Sequence, residues 1–310
     1  MNGNDLGPLV SVVINCYNGE EYLKEALDSV FAQTFTNWEI VFWDNCSTDN
    51  SAAIAKSYGP KVKYYQAEKL TSLGEGRNLA LAKVTGELIT FIDCDDVWFP
   101  EKLEIQVDLM VRNSDYILCY ASIEEVHLNG SHFRNVYNKY DSGYLFNELL
   151  EQFDVNILTS MINTRLLEES GLKFDSNITA SEEYCLFMQL ACRYKIGVIK
   201  EILAKYRVHV GSLTSKSLAK LGQERRYTLN RILKTNPGLL RLHQAAFKEA
   251  YARADYYDAR WYMSQNQSLK AFRVLKSSAS VNVRYFALTL LTLGPKSLWD
   301  YIHLKLKNRT

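Results

Sequence analysis

The sequence predicts an α/β fold, a Rossmann-like and mainly parallel sheet with flanking helices, followed by a C-terminal helical region. Three observations carry this reading. LVSVVIN (9–15) is a continuous apolar, β-branched run, as a strand covered on both faces would be, WEIVFW (38–43) reads as the next strand, and ELITFI (87–92) as a further buried one. Stretches of helical periodicity separate them, at the spacing that joins parallel strands by right-handed crossovers. After residue 211 the strand pattern stops and apolar residues recur at helical intervals.

Each element follows in order. LVSVVIN is the first strand, and Asn18-Gly19 turns the chain. In EEYLKEALDSVFAQ the apolar residues at 22, 23, 26, 27, 30 and 31 form one stripe of an amphipathic helix. WEIVFW is the second strand and ends at Asp44, and Ser47 or Thr48 caps the next helix. KVKYYQ is a shorter strand. Ser72 to Glu75 spells S-x-x-E, a capping box that opens a helix running through Ala82. After the strand 87–92, Pro100 sits at the first position of a new helix. Between about 116 and 208 the pattern is mixed. YILCYASIEEV and VNILTSMI read as strands, SEEYCLFMQLACRY as a helix, and IGVIKEILAKYRVH as strands again. The polar run GSLTSKS (211–217) sets the boundary. It divides a catalytic-type domain, 1–215 (halves 1–110 and 111–215), from a helical region, 216–310.

The 310 residues are 47% hydrophobic and 23% charged, an ordinary globular composition. Six dispersed cysteines without a C-x-x-C pair, and five unclustered histidines, fit a reduced cytosolic protein without a structural zinc site. MNGNDLGPLV lacks the basic and apolar regions of a signal peptide, and no apolar run reaches the roughly 18–20 residues that span a bilayer. A net charge of +1 hides an asymmetry. Residues 1–215 carry 18 Lys and Arg against 30 Asp and Glu, and residues 216–310 carry 18 against 5. The basic, aromatic-rich back reads either as a helical cap on the first domain or as a peripheral contact with an anionic membrane surface. No nucleic-acid-binding motif appears, so nucleic acid is not an expected partner.

In parallel sheets ligands bind beyond the carboxyl ends of the strands, and Tyr17-Asn18, Asp44-Asn45 and Asp93 to Asp96 all fall there. Asp93 and Asp95 are two apart, so an extended chain turns both toward one ion. Their hard oxygens suit Mg²⁺ or Mn²⁺ and leave positions for water and phosphate, although a solvated acidic loop would look the same. The turn after the first strand, NCYNGEEY, has no G-x-G-x-x-G, and no G-x-x-x-x-G-K-[ST] occurs. What remains is a nucleotide held by a ring-stacking residue, an acid and a divalent ion. Cys16, Cys46 and Cys94 stand beside these positions and read as small residues filling tight turns.

SVVINCYNGEEYLKEALDSVFAQTF, EIVFWDNCSTDNS and GEGRNLALAKVTGELITFIDCDDVWFPEKLE, in this order and spacing, resemble the nucleotide-binding half of family 2 glycosyltransferases of the GT-A fold. The resemblance covers roughly residues 9–110, with weaker matches at SEEYCLFMQLA (181–191) and YRVHVGSLTS (206–215). It implies that Tyr17 packs on a uracil-type base and that Asp44 accepts the imide N–H of that base. Arg77 would contact base or diphosphate, and Asp93 the ribose or the shell of the metal. Asp95 would hold Mn²⁺ or Mg²⁺ against the diphosphate, and His209 would complete the metal site. Glu183 would be the base for the acceptor hydroxyl.

Two positions depart from the family pattern. Glu182-Glu183 precedes Tyr184 where Glu-Asp is usual, and Asp44-Asn45-Cys46 stands where two acids are usual. The implied activity is inverting transfer of a hexosyl or N-acetylhexosaminyl group from a UDP-sugar to a glycan or lipid-linked acceptor, for bacterial surface polysaccharide. One alternative is a nucleotidyltransferase, which would need a Gly-rich triphosphate loop that is missing. The other is a catalytically weak nucleotide-sugar-binding or assembly protein, suggested by Glu183 and Asn45.

Overall fold

The apolar runs fold as expected in the computed structural model, which describes residues 7–208 and 217–307. β1 (Val10–Cys16), β2 (Trp38–Asp44), β3 (Val62–Gln66) and β4 (Leu88–Phe91) are parallel neighbours in the order β3-β2-β1-β4. Every residue of β2 is buried, including Glu39, whose carboxylate accepts from Ser11 Oγ and Thr85 N and pairs with Lys63. The helices α1 (Glu20–Phe31), α2 (Ser51–Ser57) and α3 (Leu73–Leu81) connect these strands. α1 buries Leu23, Ala26, Leu27 and Val30, while Phe31 stays at the edge. Ser72 caps α3 by accepting the Glu75 N–H at 3.3 Å, as the S-x-x-E pattern predicts.

Two expected helix starts shift. The cap position of α2 is Asn50, without a side-chain cap. The Ser47 hydroxyl instead accepts the Asn18 N–H, and the Thr48 N–H goes to Asn18 Oδ1. A long-range brace between two loops wins over a local cap. α4 (Lys102–Arg112) starts after a cap position at Glu101, so Pro100 lies before it. The chain is still extended there: β5 (Val97–Trp98) pairs with β9 (Lys195–Arg207), and the Phe99 N–H reaches Leu203 O.

The rest of the sheet is β6 (Tyr116–Val126), β7 (His132–Val136) and β8 (Met161–Asn163), in the order β4-β8-β6-β9-β5, with β7 paired to β6. β8 is antiparallel to both neighbours, whereas β6 and β9 run parallel. Only the end of VNILTSMI is a strand. Asn156 Oδ1 accepts the Leu158 N–H and winds Ile157–Thr159 into a 3₁₀ turn, an end that apolar content alone does not reveal. IGVIKEILAKYR is one long strand.

The remaining helices are α5 (Phe146–Glu151), α6 (Thr164–Ser170), α7 (Glu182–Ala191), α8 (Leu218–Thr235), α9 (Leu239–Leu242), α10 (Gln244–Ser264), α11 (Ser268–Lys276), α12 (Val283–Leu291) and α13 (Lys296–Lys307). The chain forms two compact units. One is Met1–Leu145, Asp154–Asn177 and Gln189–His209; the other is Phe146–Phe153, Ile178–Met188 and Val210–Thr310. Two short segments that the polar run at 211–217 would leave with the first domain thus group with the C-terminal helices. In the second unit a Cβ on Gly222 of α8 would lie 2.6 Å from Ala254 O on α10, so glycine permits the close helix contact. Among the described residues no helix is long and apolar enough to cross a membrane.

Candidate active site

The first unit gathers five of the singled-out residues at neighbouring strand ends. The β1–β2 register sets Cys16 opposite Asp44, so Tyr17 begins just beyond that pair. Its ring is 54% exposed, an open face rather than a turn filler. Asn18 (φ 51°) turns the backbone there in the left-handed region. Asp44 is fully buried; its oxygens accept the Ser47 N–H at 2.7 Å and the Tyr64 hydroxyl at 2.6 Å. Burial, reinforced by Asp44, holds the Tyr64 hydroxyl well above the usual tyrosine pKa. Asn45 explains why an amide replaces an acid. Its Oδ1 accepts from Thr71 N and Oγ1 and its Nδ2 donates to Thr71 O, which a carboxylate cannot do. Cys46 sits at φ 67°, a conformation that glycine adopts without strain.

Arg77 on α3 is 3% exposed, which rules out a mere surface charge. Its guanidinium lies 3.6 Å from the Asp93 carboxylate and 5.5 Å from the Phe174 ring centroid. Asn78 fixes that ring by bonding both the N–H and the carbonyl of Phe174. α3 also comes close to the strand ends, for a Cβ on Gly76 would lie 3.2 Å from Asn15 Nδ2 and 3.6 Å from Trp43 Cδ1. Asn15 Nδ2 and Trp43 Nε1 are buried donors with no acceptor among the described residues. Sequence reasoning missed both, since an Asn and a Trp inside apolar strands carry no motif.

The acidic loop follows β4. Asp93 and Asp95 are part-buried, while Asp96 is buried. Asp96 Oδ1 accepts the Arg207 N–H at 2.8 Å, and among the described residues Oδ2 has no donor. Burial, then the carboxylates of Asp95 and Asp93, push the Asp96 carboxyl well above the usual range. Arg207 is the keystone that the sequence did not flag. Its guanidinium bonds Asp95 O, Leu128 O and Glu25 Oε2 and stacks 4.5 Å over Tyr22. Behind β1, a Cβ on Gly19 would lie 2.9 Å from Cys94 Cβ and within 3.2 Å of both the Cys16 and Cys94 sulfurs. Hydrogen bonds from Cys94, then Ser51, the Gly19 N–H and Ser47, hold the buried Cys16 thiol below its ordinary pKa.

Glu183 lies in the first turn of α7 and is half-buried, beside the buried Glu182. Tyr184 is buried, edge-on to Phe153 at 4.9 Å and 4.1 Å from the Arg225 guanidinium. The loop entering α7 is held by the buried Glu224 of α8. Its carboxylate accepts from Thr179 N and Oγ1, Ala180 N and Ser181 Oγ at 2.9–3.1 Å. These groups belong to the second unit, whereas Tyr17, Asp44, Arg77, Asp93 and Asp95 belong to the first. His209 lies outside the described residues.

The strand-end groups fit a nucleotide diphosphate with a hard divalent ion. Asp93 and Asp95 would supply oxygen ligands to such an ion, and the buried Arg77 beside Asp93 a cation for the diphosphate. Among the described residues no three His, Cys, Asp or Glu converge on a metal position. An ion held by Asp93 and Asp95 would need ligands beyond these two carboxylates, which water and phosphate oxygens can supply.

Comparison with known proteins identifies the family and the fold. The model of "Glycosyl transferase family 2" matches residues 11–166. An uncharacterized glycosyltransferase of Rickettsia typhi is 30% identical over 226 residues, covering 71% of this chain and 70% of that protein. The Escherichia coli UDP-Glc:alpha-D-GlcNAc-diphosphoundecaprenol beta-1,3-glucosyltransferase WfgD is 27% identical over 221 residues, 70% of this chain and 83% of its own. The match spans only 34% of the length of glycosyltransferases from Rickettsia felis and Rickettsia conorii. Among solved structures, S. aureus TarS 1-349 in complex with UDP-GlcNAc superposes with a TM-score of 0.67 at 22% identity. That likeness covers 94% of this chain and 89% of TarS 1-349, and it establishes a shared GT-A architecture. The chain belongs to glycosyl transferase family 2.

Proposed function

We propose that this chain is an inverting glycosyltransferase that moves a sugar from a UDP-sugar to an acceptor hydroxyl, in the synthesis of a bacterial surface or lipid-linked glycan. The observation that carries the reading is the gathering, at the carboxyl ends of adjacent parallel strands, of an open aromatic ring, a buried acid, a buried arginine and two carboxylates. The activity for which WfgD is named and the UDP-GlcNAc held by TarS support the donor and acceptor classes.

In this mechanism Tyr17 stacks on the base and Asp44 accepts its imide N–H. Arg77, already desolvated, meets the negative charge that grows on the diphosphate as the glycosidic bond breaks. Glu183 takes the proton of the acceptor hydroxyl as its oxygen attacks the anomeric carbon from the opposite face. Asp93 and Asp95, with His209 as a further ligand, would hold Mn²⁺ or Mg²⁺. When bound, the ion supplies Lewis-acid stabilisation of the departing diphosphate.

A thermal-shift panel of nucleotide sugars with and without Mn²⁺, followed by UDP release, tests the reading. We expect stabilisation by one UDP-sugar together with the ion, and slow donor hydrolysis. Stabilisation without any UDP release would favour a binding protein, and a response confined to other nucleotides would overturn the donor assignment.

A further inference from the structure

We propose that the outward face of α12 and the turn after it is a docking surface for an anionic lipid bilayer. The helix is apolar on two sides. Inward, Tyr285 and Leu288 are buried in the core that includes Leu275 and Trp299. Outward, Val283, Phe286, Leu290 and Leu293 are 82%, 53%, 53% and 56% exposed. Their spacing of three, four and three places them in one row along the helix. A surface helix ordinarily turns polar residues to water, and a contiguous row of large apolar side chains marks an interaction site.

Charge selects the occupant. Residues 268–307 carry seven Lys and Arg, at 270, 273, 276, 284, 296, 305 and 307, against the single acid Asp300. Arg273, Lys276, Arg284 and Lys296 are exposed. An apolar row on a segment this rich in exposed cations gains from insertion and from charge attraction at the same time on an anionic bilayer. A second copy of the chain would bring the same cations to the contact and repel. With nine residues, about 14 Å long, α12 is too short to cross a bilayer and lies in its interface. The benefit of such docking, access to a lipid-linked acceptor, rests on the function proposed above; the surface itself stands on exposure and charge.

The test is flotation of the full chain with phosphatidylglycerol-containing vesicles and with pure phosphatidylcholine vesicles, at low and high salt. We expect flotation on the anionic vesicles, weakened by salt, and an about tenfold or greater loss for the Phe286→Ser/Leu290→Ser double variant. Thermal unfolding and UDP binding of that variant report whether its fold is intact. No flotation of the native chain, or equal flotation of the variant, would overturn the proposal. So would light scattering in which the double variant turns an oligomer into a monomer, because the face would then be a subunit contact. Donor hydrolysis in solution should be unaffected by the variant. Absence of hydrolysis in the native chain would therefore defeat the enzymatic reading while leaving the flotation result to stand.

Discussion

Asp96, in the acidic loop after β4, and Glu224, on α8, are both buried carboxylates, and the fold completes them in opposite ways. Glu224 accepts four hydrogen bonds from three consecutive residues, so its oxygens are satisfied where they stand. Asp96 receives one backbone N–H, keeps one oxygen without a donor, and has two further carboxylates beside it. A carboxylate satisfied within the fold supports structure. Carboxyl groups crowded together beside a buried position cost stability, and such a cluster persists where a ligand brings the opposite charge.

The largest effect should come from the acidic loop of this contrast. Asp95→Ala should lower UDP release by about a thousandfold or more while leaving the fold intact. A rate within tenfold of the native one would break the contrast at its centre. Glu224→Gln should act on stability instead, at about 3 kcal/mol in chemical denaturation, because the amide turns its own donors onto those of residues 179–181.

Lys102 adds a cation to the comparison. It is fully buried, donates to Thr90 Oγ1 at 2.9 Å and sits 3.8 Å over the Trp98 ring. Burial pulls its pKa down to about 7 from 10.5. Between those values the unfolded chain binds the proton more tightly, so stability from this group should rise as pH rises from 7 toward 10. Lys102→Met should flatten that slope and stabilise the protein at pH 7 by about 2 kcal/mol in pH-dependent denaturation. Asn45→Asp should cost about 1 kcal/mol, by removing the donor to Thr71 O. Asp96→Asn should be the mildest, within about 1 kcal/mol, since an uncharged side chain suits that position; a large loss would mean that its charge is structural after all.

Much of this was legible because it is local. β1, β2 and β4 announce themselves as continuous apolar runs, and Ser72 and Glu75 as a capping box, since in each case nearby residues decide the outcome. Asp93 and Asp95 could be singled out from their spacing at a strand end. The misses depend on partners far along the chain. Ser47 and Thr48 leave their helix for Asn18, about 30 residues earlier, and Arg207 meets Asp96 across 111 residues. The motif YRVH drew attention to its histidine, while its arginine carries the packing. Segments 146–153 and 178–188 join the C-terminal helices through contacts that no periodicity encodes.

The closed state of Asp44 has a consequence for recognition. With Asp44 in the role proposed above, a uracil-type ring meets a carboxylate that already accepts the Ser47 N–H on one oxygen and the Tyr64 hydroxyl on the other. Each oxygen keeps a further lone pair, so the ring N–H adds a third hydrogen bond to a charge that two donors already share, and tightness must come from ring stacking and the diphosphate. A cytosine-type ring, with an acceptor where uracil has its N–H, would set a lone pair against that buried carboxylate. That asymmetry makes Asp44 a filter that discriminates by penalty, worth about tenfold to a hundredfold between the two bases, rather than an anchor.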